Sequence, residues 1–279
     1  MTTLQLKSIL LSRWTFGGAI LARGLFLVTR LLSVYIPKHS MRRFAILTRL
    51  GAIIAPYYRF KLPEMEWWND QAFNSWIKKF NPHGSIHVDR QWMLYQLLRL
   101  TQNLEGDTAE CGVLGGCSSY LICTANRSFG GNRWHYGFDS FAGLSTPSEP
   151  DKNFWKKGDL DCPRNNAESA LSEFDNVTLF QGWIPERFSE VEHKKFAFVH
   201  IDVDLYKPTL ESIKFFYSRL LNGGVLVCDD YGMKNCPGAT KAIDEFLEDK
   251  CEKMIACCGG GGFFIKNTPV GAPFLINNQ

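Results

Sequence analysis

Two short apolar runs that each end in aspartates constrain the fold of this 279-residue chain more than any other feature. The runs cover residues 196–201 and 224–228, and their length and composition predict buried strands. If these strands are neighbours in a parallel sheet, the acids that follow them meet at one carboxyl edge, where open α/β folds place their ligands. The acids are Asp202 and Asp204 after the first run, and Asp229 and Asp230 after the second.

Four carboxylates at one edge of a sheet repel each other unless a cation lies among them. Oxygen ligands favour a hard divalent ion such as Mg²⁺ over zinc. An Asp-Asp pair after a strand also caps helices or lies in solvated turns. Two such clusters at successive strand ends favour the interpretation as a metal site.

Strand and helix patterns alternate regularly from residue 108 onward. The pattern predicts strands over residues 108–113, 134–138, 177–180, 196–201 and 225–228, helices over 118–127, 210–221 and 239–250, and a terminal hairpin from 253–256 and 263–266. This alternation predicts an α/β fold with a doubly wound, mostly parallel, Rossmann-like sheet that ends in an antiparallel hairpin.

The loop after the first predicted strand is rich in glycine and is preceded by an acid. Gly112, Gly115 and Gly116 permit a tight turn, and they allow a ligand to approach backbone N–H groups at a helix N-terminus. The spacing is not that of a GxGxxG motif, so it does not favour a dinucleotide. Glu110 would repel a phosphate, whereas it matches the α-amino group of S-adenosylmethionine, which has no phosphate.

Asp139 ends the second predicted strand, where an acidic side chain can accept hydrogen bonds from both ribose hydroxyls of a nucleoside cofactor. A helix cap or a turn is the alternative interpretation of this residue. Taken with Glu110, Asp139 favours a site for S-adenosylmethionine. The predicted cofactor-binding residues are Glu110, Gly112, Gly116, Asp139, Ser140 and Gly182.

Four motifs, in order along the chain, resemble those of the macrocin O-methyltransferase family. They are residues 109–116, 138–144, 200–206 and 229–232, and the likeness extends over about residues 85–266. The resemblance implies a Rossmann-like methyltransferase sheet. It also implies a metal- and S-adenosylmethionine-dependent enzyme that methylates a sugar hydroxyl of a macrolide or aminocoumarin natural product.

The same resemblance assigns roles to the four aspartates. It implies that Asp202, Asp229 and Asp230 bind Mg²⁺ and that Asp204 is the catalytic general base. Residues 1–63 do not align with the family, and residues 145–165, the predicted substrate loop, also depart from it. The acceptor is therefore predicted only as a sugar or a glycosylated small molecule.

Two alternatives to a sugar O-methyltransferase stay open at this point. A catechol-like diol would satisfy the same metal chelate, because it also presents two adjacent hydroxyls. A methyltransferase-like domain that serves as a non-catalytic binding or assembly subunit is the second alternative. The intact acids Glu110 and Asp139, together with the four aspartates at the strand ends, argue against it.

The N-terminal region differs in charge from the rest of the chain. Residues 1–63 contain ten Lys or Arg and no Asp or Glu, so the remainder carries −7 within a net charge of +3. This break predicts a basic, apolar, helical extension over residues 1–63 and a methyltransferase domain over residues 64–279. Within that domain we expect a helical lead-in over residues 64–105 and the sheet core over residues 106–266.

The extension does not have the pattern of a membrane-spanning helix. Arg23 and Arg30 interrupt the apolar stretch from residue 14 to residue 36, and a central arginine costs about 2.5 to 3.5 kcal/mol in a bilayer. Two interpretations remain: a helix that packs against a partner subunit in a homo-oligomer, and a basic amphipathic helix on an anionic membrane surface.

The remaining features exclude several classes of protein. Nine cysteines are an odd number without a regular framework or zinc spacing, so we expect a reducing cytoplasm, with membrane association as an alternative. The sequence contains no motif in which basic and aromatic residues alternate, the pattern that would indicate nucleic-acid binding.

His200 lies within an apolar run, which favours a hydrogen-bonded core or cofactor-pocket residue over a catalytic one. Aromatic residues spaced along 65–81 predict a helix, and residues 90–104 predict another.

Overall fold

The computed structural model describes residues 28, 70–80, 87–130, 132–151 and 154–271. Contacts divide the chain into two compact units, Met1–Ser75 and Trp76–Gln279, and the second contains the sheet and the site. Apart from residue 28, the predicted extension over residues 1–63 and the boundary near Glu64 lie outside the described residues. Within the described ranges, no helix is long and apolar enough to cross a membrane.

The helices and strands alternate as the sequence predicts. In the described residues the helices are α1 (Gln71–Phe80), α2 (Val88–Leu98), α3 (Cys117–Ser128), α4 (Arg164–Leu171), α5 (Tyr206–Tyr217) and α6 (Pro237–Phe246). The strands are β1 (Asp107–Cys111), β2 (His135–Asp139), β3 (Val177–Gln181), β4 (Phe196–Ile201), β5 (Leu220–Cys228), β6 (Ile255–Ala256) and β7 (Gly262–Ile265). Short 3₁₀ turns cover Arg99–Thr101, Glu149–Asp151 and Phe188–Val191.

These strands form one sheet with the order β3-β2-β1-β4-β5-β7-β6. Strands β1 to β5 pair in parallel, whereas β7 pairs antiparallel with β5 and β6 pairs antiparallel with β7. The order therefore confirms the predicted doubly wound, mostly parallel sheet that ends in an antiparallel hairpin. It reverses between β1 and β4, which is where folds of this kind open a crevice for ligands.

Apolar side chains pack on both faces of the sheet. On one face, the aromatic rings of Phe196 and Phe216 lie 5.1 Å apart, and both side chains are fully buried. On the other face, Leu98 and Ile122 from the helices pack with Val225 of β5. Burying each such side chain contributes roughly 1.5 to 3 kcal/mol. Every residue of β4 is buried, as expected for the central strand of a sheet covered by helices on both sides.

Strand β5 begins five residues before the predicted start at Val225. Its pairing with β4 starts at Leu220 and then shifts register before Val225, so that a bulge absorbs the residues between them. Gly223 lies in this bulge with φ of 78°, a conformation that favours glycine. The predicted helix over residues 210–221 was therefore placed too late, because α5 ends at Tyr217.

Two other predicted segments differ from the structure. Helix α6 covers Pro237–Phe246, not residues 239–250, with a proline at its start, where the missing N–H has no cost. The predicted substrate loop over residues 145–165 contains a 3₁₀ turn and the start of α4. Within this loop the buried Asp151 accepts a hydrogen bond from the backbone N–H of Tyr206 at 2.6 Å, which fixes the loop to the start of α5.

Candidate active site

A cavity opens at the carboxyl edge of the sheet. Residues that follow β1, β2, β3 and β4 line it, together with one residue of α2. The sequence-predicted residues that line it are Gly112, Asp139, Ser140, Gly182, Asp202 and Asp204. Glu110, Gly116, Asp229 and Asp230 do not line this cavity.

The backbone at Gly112 joins the ends of three strands. Its N–H donates to the carbonyl oxygen of Phe138 at 2.8 Å, and the N–H of Asp202 donates to the carbonyl oxygen of Cys111 at 2.8 Å. Gly112 has φ of +87°, and a Cβ built on it would lie 1.8 Å from the carbonyl oxygen of Asp202. Glycine is therefore required here both by conformation and by space.

Gly116, a predicted cofactor contact, has a structural role at the start of α3. It is the N-cap of α3 with φ of 81°, in the left-handed region. A Cβ at this position would lie 3.3 Å from the Cα of Ala167, in α4. Its small size therefore lets α3 and α4 approach each other.

Asp139 fixes the loop that forms one wall of the cavity. Its Oδ2 accepts hydrogen bonds from the backbone N–H groups of Val113 at 2.7 Å and Leu114 at 2.8 Å. Its Oδ1 accepts one from the N–H of Phe141 at 2.7 Å. Each oxygen of a carboxylate has about two acceptor positions, so one or more remains available for a ribose hydroxyl. The side chain thus combines the predicted turn role with a place at the cavity.

Glu110 lies within β1 and not after it, and the structure does not bring it to the cavity. Its side chain is fully buried, where Oε1 lies 2.8 Å from Nδ1 of His200 and Oε2 accepts a hydrogen bond from Ser119. Burial opposes ionisation, but the imidazole rings of His135, at 3.8 Å, and His200, at 2.8 Å, outweigh it and lower the pKa of Glu110 to about 2. The predicted contact with the methionine amine is therefore not supported by this geometry.

His200 connects this buried acid to the acidic cluster. Its Nε2 lies 3.9 Å from Oδ1 of Asp229, on the side opposite Glu110. Although burial favours the neutral ring, Asp229 and Glu110 together raise the pKa of His200 to about 10. The neighbouring acids thus favour the charged ring, and His200 is a fully buried residue that is hydrogen-bonded in the core, one of the two roles that its sequence predicts.

The four aspartates gather after β4 and β5, as predicted from the two apolar runs. Desolvation, together with Asp229 and Asp230, raises the pKa of Asp202 well above its usual range. Burial and the neighbouring acids also raise the pKa of Asp230 to about 8. Buried oxygen donors that repel each other form the kind of site that a hard divalent cation stabilises, so the residues present fit such an ion.

Asp204 is strained and tightly held. Its φ of 59° lies in the left-handed region, which is uncommon for residues other than glycine and which concentrates at functional sites. Oδ2 of Asp230 accepts a hydrogen bond from the N–H of Asp204 at 2.8 Å and thus stabilises this conformation. The thiol of Cys236 donates to Oδ1 of Asp204 at 3.3 Å, and one ligand atom each of Asp204, Asp230 and Cys236 lies within 4.8 Å of the others.

Arg90 in α2 contacts the acidic cluster, a position that the sequence did not indicate. Its guanidinium donates to Oδ2 of Asp229 and, at 3.1 Å, to the carbonyl oxygen of the same residue. Despite burial, His200 and Arg90 lower the pKa of Asp229. The four aspartates therefore differ: Arg90 and His200 favour the carboxylate form of Asp229, whereas no salt bridge joins the other three to a cation among the described residues.

The far wall of the cavity is apolar. Phe138, Leu160, Trp183 and Ile184 line it, and Nε1 of Trp183 donates to the carbonyl oxygen of Gly143 at 3.3 Å. An apolar wall, a carboxylate with a free acceptor position and a glycine cradle fit a nucleoside cofactor.

Comparison with known protein families decides the class of this site. Residues 94–255, more than half of the chain, match the macrocin O-methyltransferase family, which carries the name TylF. The chain belongs to this family. The predicted resemblance is thus confirmed, and the protein is an O-methyltransferase with the fold of S-adenosylmethionine-dependent enzymes.

Two curated proteins are similar in sequence. Demethyldecarbamoylnovobiocin O-methyltransferase of Streptomyces niveus is 26% identical over 182 residues, which are 60% of this chain and 68% of that protein. The 8-demethyl-8-(2,3-dimethoxy-α-L-rhamnosyl)-tetracenomycin-C 4′-O-methyltransferase of Streptomyces olivaceus is 25% identical over 152 residues, which are 50% of this chain and 58% of that protein.

Solved structures confirm the fold. The O-methyltransferase NovP aligns over 65% of this chain and 81% of its own, with a TM-score of 0.55 and 22% identity. CalS11, a calicheamicin methyltransferase, aligns over 82% of this chain and 94% of its own, with a TM-score of 0.60 and 16% identity. At these identities the likeness establishes the Rossmann-like sheet and its helices.

Proposed function

We propose that this enzyme transfers a methyl group from S-adenosylmethionine to a hydroxyl of a sugar or a glycosylated small molecule, with the help of a divalent cation. One observation carries the proposal: Asp202 and Asp204 line the cavity proposed for the cofactor, and Asp229 and Asp230 follow the neighbouring strand. A carboxylate cluster next to a methyl donor is suited to activating a hydroxyl. The rhamnosyl group in the name of the S. olivaceus relative supports a sugar acceptor.

Asp202, Asp229 and Asp230 are the residues that would hold the ion. When bound, Mg²⁺ would lower the pKa of a coordinated hydroxyl and orient two adjacent oxygens of the acceptor. Arg90 and His200 keep Asp229 ionised, so this carboxylate is ready to bind without first losing a proton.

Asp204 is the proposed general base. It lines the cavity, and the hydrogen bond from its backbone to Asp230 fixes its side chain next to the acids that would bind the ion. The carboxylate accepts the proton of the acceptor hydroxyl as the bond between the methyl carbon and that oxygen forms and the bond between the methyl carbon and the sulfonium sulfur breaks, with S-adenosylhomocysteine as the leaving group. Because only 9% of Asp204 is exposed, little water competes for this position.

Cofactor positioning falls to the loops after β1 and β2. Asp139 holds the glycine loop through Val113 and Leu114, and its one remaining acceptor position is available to a ribose hydroxyl. Ser140 holds the adjoining turn, because its hydroxyl donates to the carbonyl oxygen of Gly143 at 2.7 Å. A cofactor held on fixed loops needs little rearrangement before reaction.

A transfer assay with an acceptor panel tests the proposal. The protein, Mg²⁺ and S-adenosylmethionine labelled in its methyl group are incubated with rhamnosides, with nucleotide-linked rhamnose or with catechols. We expect label in one or more of the sugars. Label only in catechols would favour the diol alternative, and a protein that does not bind S-adenosylmethionine would favour a non-catalytic subunit.

A further inference from the structure

One buried side chain at the cavity has an oxygen atom without a hydrogen-bond partner among the described residues. Gln91 of α2 is 7% exposed and lines the cavity, and its Oε1 has no hydrogen bond among the described residues. An unpaired buried amide oxygen costs free energy and is uncommon in folded proteins. Its position at a ligand cavity indicates that a ligand supplies the missing donor.

The surroundings of Gln91 indicate what kind of donor this is. Helix α2 packs against α3, and Cys117 and Ser118 of the first turn of α3 line the same cavity. The first N–H groups of a helix have no partners within the helix and favour a carboxylate. An amide oxygen favours an ammonium group. Together the two elements match both charged groups of an α-amino acid, as in the methionine portion of S-adenosylmethionine.

We propose that Oε1 of Gln91 accepts a hydrogen bond from the α-ammonium group of S-adenosylmethionine, an inference that rests on the cofactor site proposed above. Gln91 takes the role that the sequence assigned to Glu110. Both oxygens of Glu110 are engaged, by His200 and Ser119, and its side chain is fully buried outside the cavity. Oε1 of Gln91, in contrast, belongs to a residue that lines the cavity and has no hydrogen-bond partner among the described residues.

Two ligands separate the amino-acid end from the nucleoside end of the cofactor. S-adenosylhomocysteine carries the α-ammonium and the carboxylate, whereas 5′-methylthioadenosine has neither. Calorimetry measures both dissociation constants for the wild type, for Gln91→Met, which keeps the length but removes the acceptor, and for Gln91→Glu, which keeps an acceptor. Gln96→Met is the matched control, since Gln96 lies on the same helix and its Oε1 accepts from Arg99 at 2.7 Å.

We expect Gln91→Met to weaken the binding of S-adenosylhomocysteine by about tenfold or more, because a hydrogen bond to a charged group is lost. The dissociation constant of 5′-methylthioadenosine should stay unchanged. Gln91→Glu retains the preference of the wild type for S-adenosylhomocysteine over 5′-methylthioadenosine, because a carboxylate also accepts from an ammonium. Gln96→Met behaves as the wild type. If circular dichroism shows that Gln91→Met is unfolded, the preference retained by Gln91→Glu decides the matter.

Three results would overturn the inference. These are an unchanged affinity of Gln91→Met for S-adenosylhomocysteine, an equal loss for both ligands, and a preference in Gln91→Glu that falls below that of the wild type. Loss of Mg²⁺ binding in Gln91→Met with normal S-adenosylhomocysteine binding would identify a metal ligand instead. A wild type that binds neither nucleoside would refute the proposed cofactor site itself.

Discussion

Replacement of Glu110 by glutamine tests the buried charge pair that lies behind the acidic cluster. The substitution keeps the size of the side chain and removes its negative charge. Without that charge, the imidazolium of His200 loses the acid at 2.8 Å and retains the more distant Asp229, at 3.9 Å from its other nitrogen. We expect the folded state to be less stable and His200 to be less often protonated.

The size of the expected loss in stability follows from the pKa of Glu110 in the folded and unfolded protein. The pKa of Glu110 falls from 4.5 to about 2 in the folded protein, and at 1.36 kcal/mol per pKa unit this corresponds to about 3 kcal/mol. Breaking a buried ion pair by removing one partner costs about 3 to 5 kcal/mol, which is of the same size. For a domain of this length the melting temperature would fall by roughly 6 to 12 °C.

The pH dependence distinguishes lost charge from lost packing. Because the folded pKa of Glu110 is depressed, its stabilisation is present above 4.5 and is lost as the pH falls toward 2. Because the folded pKa of His200 is raised, its stabilisation is present below 6.5 and is lost as the pH rises through about 10. The difference in unfolding free energy between the wild type and Glu110→Gln is therefore largest between about pH 4.5 and pH 6.5.

Urea unfolding at pH 5.5 to 6, followed by circular dichroism, measures this difference. Glu105→Gln is the control, since it makes the same chemical change at an exposed glutamate. A loss of less than about 1 kcal/mol in Glu110→Gln would refute the account of the ion pair, because a surface charge contributes that little. So would a loss that stays constant from pH 3 to pH 10.

Three further substitutions test the cavity. Gly112→Ala places a Cβ 1.8 Å from a carbonyl oxygen at φ of +87°, so we expect the free energy of unfolding, measured by thermal denaturation, to fall by at least about 2 kcal/mol. Gly115→Ala is the control and should be as stable as the wild type, because a Cβ on Gly115 meets nothing within 4 Å. Asp139→Asn replaces one acceptor oxygen by an N–H donor that faces backbone N–H groups, so calorimetry should show that S-adenosylhomocysteine binds about tenfold more weakly. An unchanged affinity would contradict the role of Asp139 in fixing the loop. Asp204→Asn should bind S-adenosylhomocysteine and Mg²⁺ normally yet lose about 10²- to 10⁴-fold in methyl transfer, and normal turnover would remove its assignment as base.

The fold was predictable because its signals are local. The apolar runs before Asp202 and Asp229, and the glycine loop, are each contained in about ten residues of sequence, and the alternation of strands with helices sets the class of the sheet. The bulge that contains Gly223 was not predictable in this way. Two adjacent glycines indicate the end of a strand, and only the pairing with β4 shows that β5 continues through them.

The residues at the site were predictable where they directly follow a strand. They were not predictable where they lie within a strand or on a helix that precedes the sheet. Glu110 precedes the end of β1 by one residue, so its side chain is held under α3 by Ser119 and not at the edge. Arg90 and Gln91 reach the site because α2 packs near the carboxyl edge, which is a tertiary arrangement without a local pattern. Their only signal was two polar residues on a predicted helix with no other assignment.

The central claim is that the aspartates at the strand ends hold a divalent cation that methyl transfer requires. Its most direct test is the rate of labelled methyl transfer from S-adenosylmethionine to an accepted sugar, measured after exhaustive chelation and again after Mg²⁺ is restored. The account predicts that transfer stops on chelation and returns with Mg²⁺, while binding of S-adenosylhomocysteine persists throughout. Transfer that continues at the same rate in the fully chelated protein would contradict it.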